Sequence, residues 1–336
     1  KRELKPLKKH DTLVSLLDQM AERHEHAVAL SRVEDDGLSR VTYLDLLARS
    51  NAVASRLAAK GVKKGDRVVL SAKNHPDWPI AYFGILRAGA TAVPVDPQME
   101  IEPTLNVVRE SAAKTAIVDD STHDADDFDA RLHGIVEFVL NLNEVTAADA
   151  TLEPPAVEVE EDDVASLIYT SGTTGTPKGV MLSHGNFTSL LASLAPIFPL
   201  GAKDRVLGVL PLHHTFEFTC GMLLPLSRGA RVLYLDELSG ERVASALKMG
   251  RVSAMVGVPA LWQLLERRIL AQVKERGPIV ETAFHLGMDL NRLLGQKLGL
   301  DLGKVLFGVV HQELGGNVRY LISGGAALPK DTAKLF

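Results

Sequence analysis

Apolar positions along this chain follow two rhythms: short unbroken runs bounded by glycine, proline and charged residues, and between them apolar residues recurring every three or four positions. The runs at 67–71, 91–95, 115–118 and 136–140 read as buried strands, as do those near 166–170, 206–210, 231–235, 253–258 and 318–322. Before the first of them, Leu46, Val53 and Leu57 share one helix face, with Thr42 and Asp45 supplying a capping box at its start and Gly61 a stop. A second helix starts near Asp77, and residues 259–315 form a long helical stretch with Leu261, Leu264, Leu265 and Ile269 at helical spacing. Strand alternating with helix predicts an α/β fold of two helix-flanked sheets. Residues 153–163 are acidic and carry two prolines, which is linker composition. They divide the chain into an expected first lobe, 1–160, and a second, 161–336.

Composition narrows the class. The chain has 336 residues, 46% hydrophobic and 24% charged, enough to bury a large core. A net charge of −5 and a pI of about 6.1 exclude the basic footprint of a nucleic-acid binder. The single cysteine, Cys220, rules out an internal disulfide, and its apolar surroundings suit a buried structural thiol. A reducing, cytoplasmic setting is therefore expected. The stretch 1–9 has five basic residues and one acid, which offers peripheral contact with an anionic membrane or is a solvated tail. A start at lysine suggests a trimmed chain.

The densest chemistry lies at 169–184, which read Tyr-Thr-Ser-Gly-Thr-Thr-Gly-Thr-Pro-Lys-Gly-Val-Met-Leu-Ser-His. Apolar runs at 165–169 and 179–182 hold the loop at both ends. Gly172, Gly175 and Gly179 allow successive N–H groups to face one anion, Ser171, Thr173, Thr174 and Thr176 add hydroxyl donors, and Lys178 adds a positive charge. The loop therefore reads as a phosphate grip, the alternative for so polar a loop being an ordinary hairpin connection. It is not a Walker A loop. Counting from Gly172, Pro177 takes the place of the second glycine, and Lys178 is followed by Gly179 instead of a hydroxyl.

This string resembles the signature loop of the adenylate-forming superfamily, which comprises acyl-CoA synthetases, luciferases and peptide-synthetase adenylation domains. Residues 211–218, Pro-Leu-His-His-Thr-Phe-Glu-Phe, and 321–329, Leu-Ile-Ser-Gly-Gly-Ala-Ala-Leu-Pro, are similar to two further motifs of that family, in the family's order. The run 41–118, with Lys-Gly-Asp-Arg-Val-Val at 64–69 and Ala-Gly-Ala-Thr-Ala-Val-Pro-Val-Asp at 88–96, has the same character. The helical insertion, Val-Leu-Phe-Gly-Val-Val-His at 305–311 and Leu-Gly-Gly-Asn-Val-Arg at 314–319 are similar to long-chain fatty acid–CoA ligases.

The resemblance implies a large N-terminal domain of an adenylate-forming enzyme, with ATP, a fatty acid and coenzyme A as substrates and Mg2+ as cofactor. It puts the departing pyrophosphate against Thr170, Ser171, Gly172, Thr173, Thr174, Gly175, Thr176 and Lys178, with Thr170 a hydroxyl candidate for magnesium. Gly324, Gly325 and Ala326 would lie beside adenine and the acyl group. His214 would orient the acyl carboxylate, the alternative being a satisfied core histidine, and Phe218, Val256, Gly257 and Gly324 would line the acyl side. His213 reads as a core residue, and Glu217 would be costly if buried unpaired. The family's next motifs are an aromatic-Gly-x-Thr-Glu segment with a magnesium-binding glutamate, a ribose-binding aspartate, and a small C-terminal domain with a catalytic lysine. None occurs before Phe336. The expectation is a fragment with the small C-terminal domain absent and little activity of its own. Two other readings stay open: a fatty acyl-AMP ligase that loads a carrier protein, and a nucleotide-binding module without catalysis.

Overall fold

The computed structural model describes residues 11–34, 37–119, 125–149, 151–170, 178–235, 238–284, 286–287, 311 and 314–336. The readings above that fall at 1–9, 171–177 and 305–310 lie outside the described residues. The first half of the chain forms α1 (Leu13–His24), β1 (Val28–Glu34), β2 (Gly37–Leu38), β3 (Val41–Thr42), α2 (Tyr43–Ala59), β4 (Arg67–Ser71), α3 (Asp77–Arg87), β5 (Thr91–Val95), α4 (Ile101–Ser111), β6 (Thr115–Val118), α5 (Ala125–His133), β7 (Phe138–Asn141) and α6 (Leu142–Val145). The second half adds β8 (Val164–Thr170), β9 (Lys178–Ser183), α7 (His184–Leu194), β10 (Arg205–Gly208), a π-helix (Glu217–Leu223), α8 (Leu224–Ser227), β11 (Arg231–Tyr234), α9 (Gly240–Met249), β12 (Ala254–Gly257), α10 (Pro259–Glu275), β13 (Tyr320–Ser323) and α11 (Lys330–Leu335).

Two sheets result. One runs β7-β6-β4-β5-β8-β9, parallel throughout until β9 turns back against β8. The other runs β13-β12-β10-β11-β1, all parallel, with β2 and β3 antiparallel to β1 at its edge. Both sheets interleave the chain across residue 160: β8 and β9 complete the sheet of β4–β7, and β1–β3 join the strands that follow residue 200.

Alternation along each strand explains the layering. In β4, Val68 and Leu70 face a core that they share with Leu30, Val206 and Val232 of the other sheet and with α1, α2 and α3, while Val69 faces outward onto α4 and α5. Leu207, Leu233 and Met255 face the opposite outer layer, built by α9 and α10. The molecule is thus helices, sheet, helices, sheet, helices. α3 lies in the middle layer with every residue from Asp77 to Leu86 buried, as expected of a helix apolar on all sides.

The strand runs read from the sequence recur with small shifts. β7 starts at Phe138 because Ile135 and Val136 donate back to the Leu132 carbonyl and close the end of α5. The Thr42–Asp45 capping box forms, with the Thr42 hydroxyl accepting the Asp45 N–H at 3.0 Å and the Asp45 carboxylate accepting the Thr42 N–H at 2.9 Å. β1 escapes an apolar-run reading because Ser31 and Arg32 interrupt it. Among the described residues no helix is long and apolar enough to cross a membrane.

Candidate active site

Parallel strands carry the residues that follow them to one edge, where open α/β sheets bind ligands. Here segments that follow the carboxyl ends of both sheets meet, and the surface that they border is the candidate crevice. β4 leads to Asn74, β5 to Asp96, β8 to Thr170, β10 to 209–216, and β12 and β13 to Gly257 and Gly324. The sheets are joined there: the Asn74 amide donates to the Leu210 carbonyl at 2.7 Å and accepts the Leu212 N–H at 3.0 Å. The His213 ring lies 3.7 Å from an Asp96 carboxylate oxygen.

Thr170 and Lys178 are paired residues at the end of the β8–β9 ladder, and both are exposed. The ladder fixes the backbone of Lys178 while its side chain reaches into solvent. A Cβ on Gly179 would come within 2.9 Å of a Leu167 methyl, which would have to turn aside. Ser171, Gly172, Thr173, Thr174, Gly175 and Thr176 lie outside the described residues.

Beyond β10 the chain turns sharply. His214 N–H donates to the Pro211 carbonyl at 3.1 Å, and Phe218 N–H donates to His214 at 3.0 Å, leading into the π-helix. His214 is exposed at the crevice. His213 packs against it with ring centroids 4.2 Å apart and is largely buried, so burial, and then the neighbouring His214, bring its pKa down to about 4 against the opposing pull of Asp96. Its Nε2 has no hydrogen-bond partner among the described residues.

Glu217 is fully buried, and neither carboxyl oxygen closes a hydrogen bond among the described residues. Burial pushes its pKa well above the ordinary carboxylate value, with the Leu210 backbone N–H opposing. The carboxyl fits because Gly208 and Gly221 have no side chains: a Cβ on Gly208 would stand 2.9 Å from its oxygen, and one on Gly221 would overlap it. Cys220 beside it is a free thiol whose pKa burial, and then Glu217, push up to about 11, which suits a structural rather than a nucleophilic cysteine.

The acyl-side residues divide. Phe218 is 2% exposed and packs edge-on against Trp78, Tyr82 and Phe187, inside the core shared by the sheets. Val256 is likewise fully buried, and Gly257 lies under Trp262. It is Phe216, which the sequence reading did not single out, whose ring covers Gly324 so closely that a Cβ would overlap it. Gly324 N–H donates to the Gly257 carbonyl at 3.1 Å, Gly325 has φ +77°, a conformation that favours glycine, and Gly325 and Ala326 are exposed. Asn74 and Asp96 were also missed. Their signal in the sequence is only a polar residue shortly after a strand.

Among the described residues no three His, Cys, Asp or Glu side chains gather to hold a metal ion. Thr170 alone is a poor fit for Mg2+, which takes six oxygen ligands, so no step is assigned to that ion.

A model of the family described as AMP-binding enzyme matches residues 17–336. The feruloyl-CoA synthase of Amycolatopsis sp is 33% identical over 240 residues, covering 71% of this chain and 47% of that protein. The long-chain-fatty-acid–CoA ligase FadD13 of Mycobacterium tuberculosis is 29% identical over 233 residues, covering 68% of this chain and 46% of that protein. The chain spans about half the length of the curated relatives it matches. Among solved structures, the inhibitor-bound N-terminal domain of FACL13 from Mycobacterium tuberculosis superposes with a TM-score of 0.75 at 25% identity, covering 97% of this chain and 73% of that one.

Proposed function

The chain belongs to the AMP-binding enzyme family, and from that premise we infer that the polypeptide carrying it activates a carboxylic acid with ATP, forming an acyl adenylate, and then transfers the acyl group to coenzyme A. The acid is read as a long-chain fatty acid. One observation carries the reading: Thr170 with Lys178, His214, and the ring-covered Gly324 all stand at or follow the carboxyl ends of parallel strands, β8, β10 and β13. A carboxylate attacking a triphosphate needs positive charge and donors on the pyrophosphate side and orientation on its own side.

In this reading Lys178, with the Thr170 hydroxyl and the donors of 171–176, holds the departing pyrophosphate. His214 orients the attacking carboxylate from the opposite wall. Phe216 and Gly324–Gly325 offer a flat apolar face for adenine or the start of the acyl chain. Coenzyme A ligation is supported by the names of the feruloyl-CoA and FadD13 relatives, and the fatty acid by FadD13 and by the segments 305–311 and 314–319.

The test is carboxylate-dependent ATP–pyrophosphate exchange, without coenzyme A, on the whole natural polypeptide with acids from acetate to palmitate. Exchange rising with chain length is expected. Exchange with aryl acids alone would replace the fatty substrate, and none with any acid would remove the activation step.

A further inference from the structure

Residues 209–216 have left β10 and, among the described residues, belong to no strand, yet their backbone must be held for His214 to face the crevice. A neighbouring parallel strand would satisfy such a segment by donating to one carbonyl and accepting the N–H two residues on. Asn74 makes that pair of bonds with one side chain: Nδ2 donates to Leu210 at 2.7 Å and Oδ1 accepts from Leu212 at 3.0 Å. The next bond, His214 N–H to Pro211, closes the turn that presents the imidazole.

The loop bearing Asn74 is itself fixed. The Asp77 N–H donates to His75 Nδ1 at 3.1 Å, the Asp77 carboxylate pairs with Arg49 of α2, and Arg49 Nε donates to the Thr146 carbonyl at 2.7 Å. The residues next to Asn74 in the chain are thus tied to α2, and Asn74 itself is bonded to the segment that leads to His214. Such support converts a flexible strand end into a preorganised site.

We propose that Asn74 is the positioning residue for His214, an amide standing in for a missing strand so that the imidazole meets the acyl carboxylate. The proposal rests on the adenylation reading above. Only an amide fits the pair of bonds: aspartate retains the acceptor for Leu212 but sets a negative charge against the Leu210 carbonyl, and alanine leaves both groups unbonded.

The experiment is exchange kinetics on the whole natural polypeptide with Asn74→Ala, Asn74→Asp, His214→Ala and the double variant Asn74→Ala/His214→Ala, each checked by thermal melting. Misplacing a reacting group by about 1 Å costs on the order of 100-fold in rate, and that loss in kcat is expected for both Asn74 variants, with the KM for ATP unchanged. The double variant should be no slower than His214→Ala alone, because a positioning residue has nothing left to position. A wild-type rate in Asn74→Ala, losses that multiply in the double variant, or an Asn74→Ala protein that does not fold would each overturn the proposal. A wild-type protein without exchange removes the reading on which it rests, and a measurable wild-type rate keeps the two failures distinct.

Discussion

The two walls of the crevice are built in opposite ways. The β8–β9 end is an edge ladder in solvent: residues 178–181 of β9 are all exposed, including Val180 at 44% and Met181 at 66%. The wall after β10 presents His214 but is anchored in the core, with Leu212, Phe218, Met222, Leu223, Leu224 and Leu226 inside the cluster that both sheets share. The difference suits the proposed function, in which the ladder end would hold a polyphosphate that exchanges with water and the packed wall would fix one imidazole. Substitutions of the packed core side chains should therefore act on stability, and those of the exposed ladder on activity.

The largest effect expected is on the buried wall. Phe218→Ala removes the ring that meets Trp78, Tyr82 and Phe187, and a fully packed phenylalanine costs about 3–5 kcal/mol on truncation. Urea unfolding measures it. A loss below about 1 kcal/mol would mean that the ring faces a space able to collapse, as a substrate channel would, and the contrast between the walls would fail.

Lys178→Ala comes next, and its effect should fall on activity alone. Loss of one preorganised donor to developing charge costs about 100- to 1000-fold in rate. The exposed side chain of Lys178 is placed by the ladder through its backbone, so the melting transition should stay where it is. Exchange kinetics and melting on the same preparation decide the matter. A lowered melting temperature with unchanged exchange would reverse the roles given to the two walls.

The same contrast governs what could be read from the sequence. The string at 169–184 stood out because glycine, hydroxyl and lysine residues in a fixed order suggest their chemistry locally, and of it the structure describes the ladder that ends at Thr170 and Lys178. The strands were legible as well, since buried parallel strands such as Thr91–Val95 are continuous apolar runs. What was hidden depends on three-dimensional partners. Phe216 and Phe218 look alike in sequence, yet the turn at Pro211–His214 and the π-helix send one ring to Gly324 and the other into the core. Asn74 gains its role from residues 136 and 138 positions away, a distance over which no local pattern signals. The interleaving of the two sheets was hidden for the same reason: the acidic stretch 153–163 looks like a boundary, but β8 on its far side lies against β5.

The smallest effect concerns the place where the exposed ladder becomes core. β9 runs directly into His184, which is 2% exposed and accepts the Leu13 N–H on Nδ1 at 3.2 Å. Burial, opposed by Asp163 and aided by Lys64, lowers its pKa to about 4. Protonation would place a second donor against the Leu13 amide, so the folded protein resists it. The unfolded chain takes up that proton near its ordinary value of about 6.5. Between the two values the unfolded state binds more protons, so stability is full above about pH 6.5 and falls as pH drops towards 4. For this one residue the loss is on the order of 1 kcal/mol by pH 6. His184→Gln keeps an acceptor for Leu13 and cannot titrate in this range. Its urea-unfolding free energy should therefore fall less steeply from pH 7 to pH 5 than that of the wild type, with His213 supplying part of the slope that remains. Equal slopes would show that His184 takes up its proton without disturbing the Leu13 bond, and that the exposed character of the ladder extends past Ser183 into the start of α7.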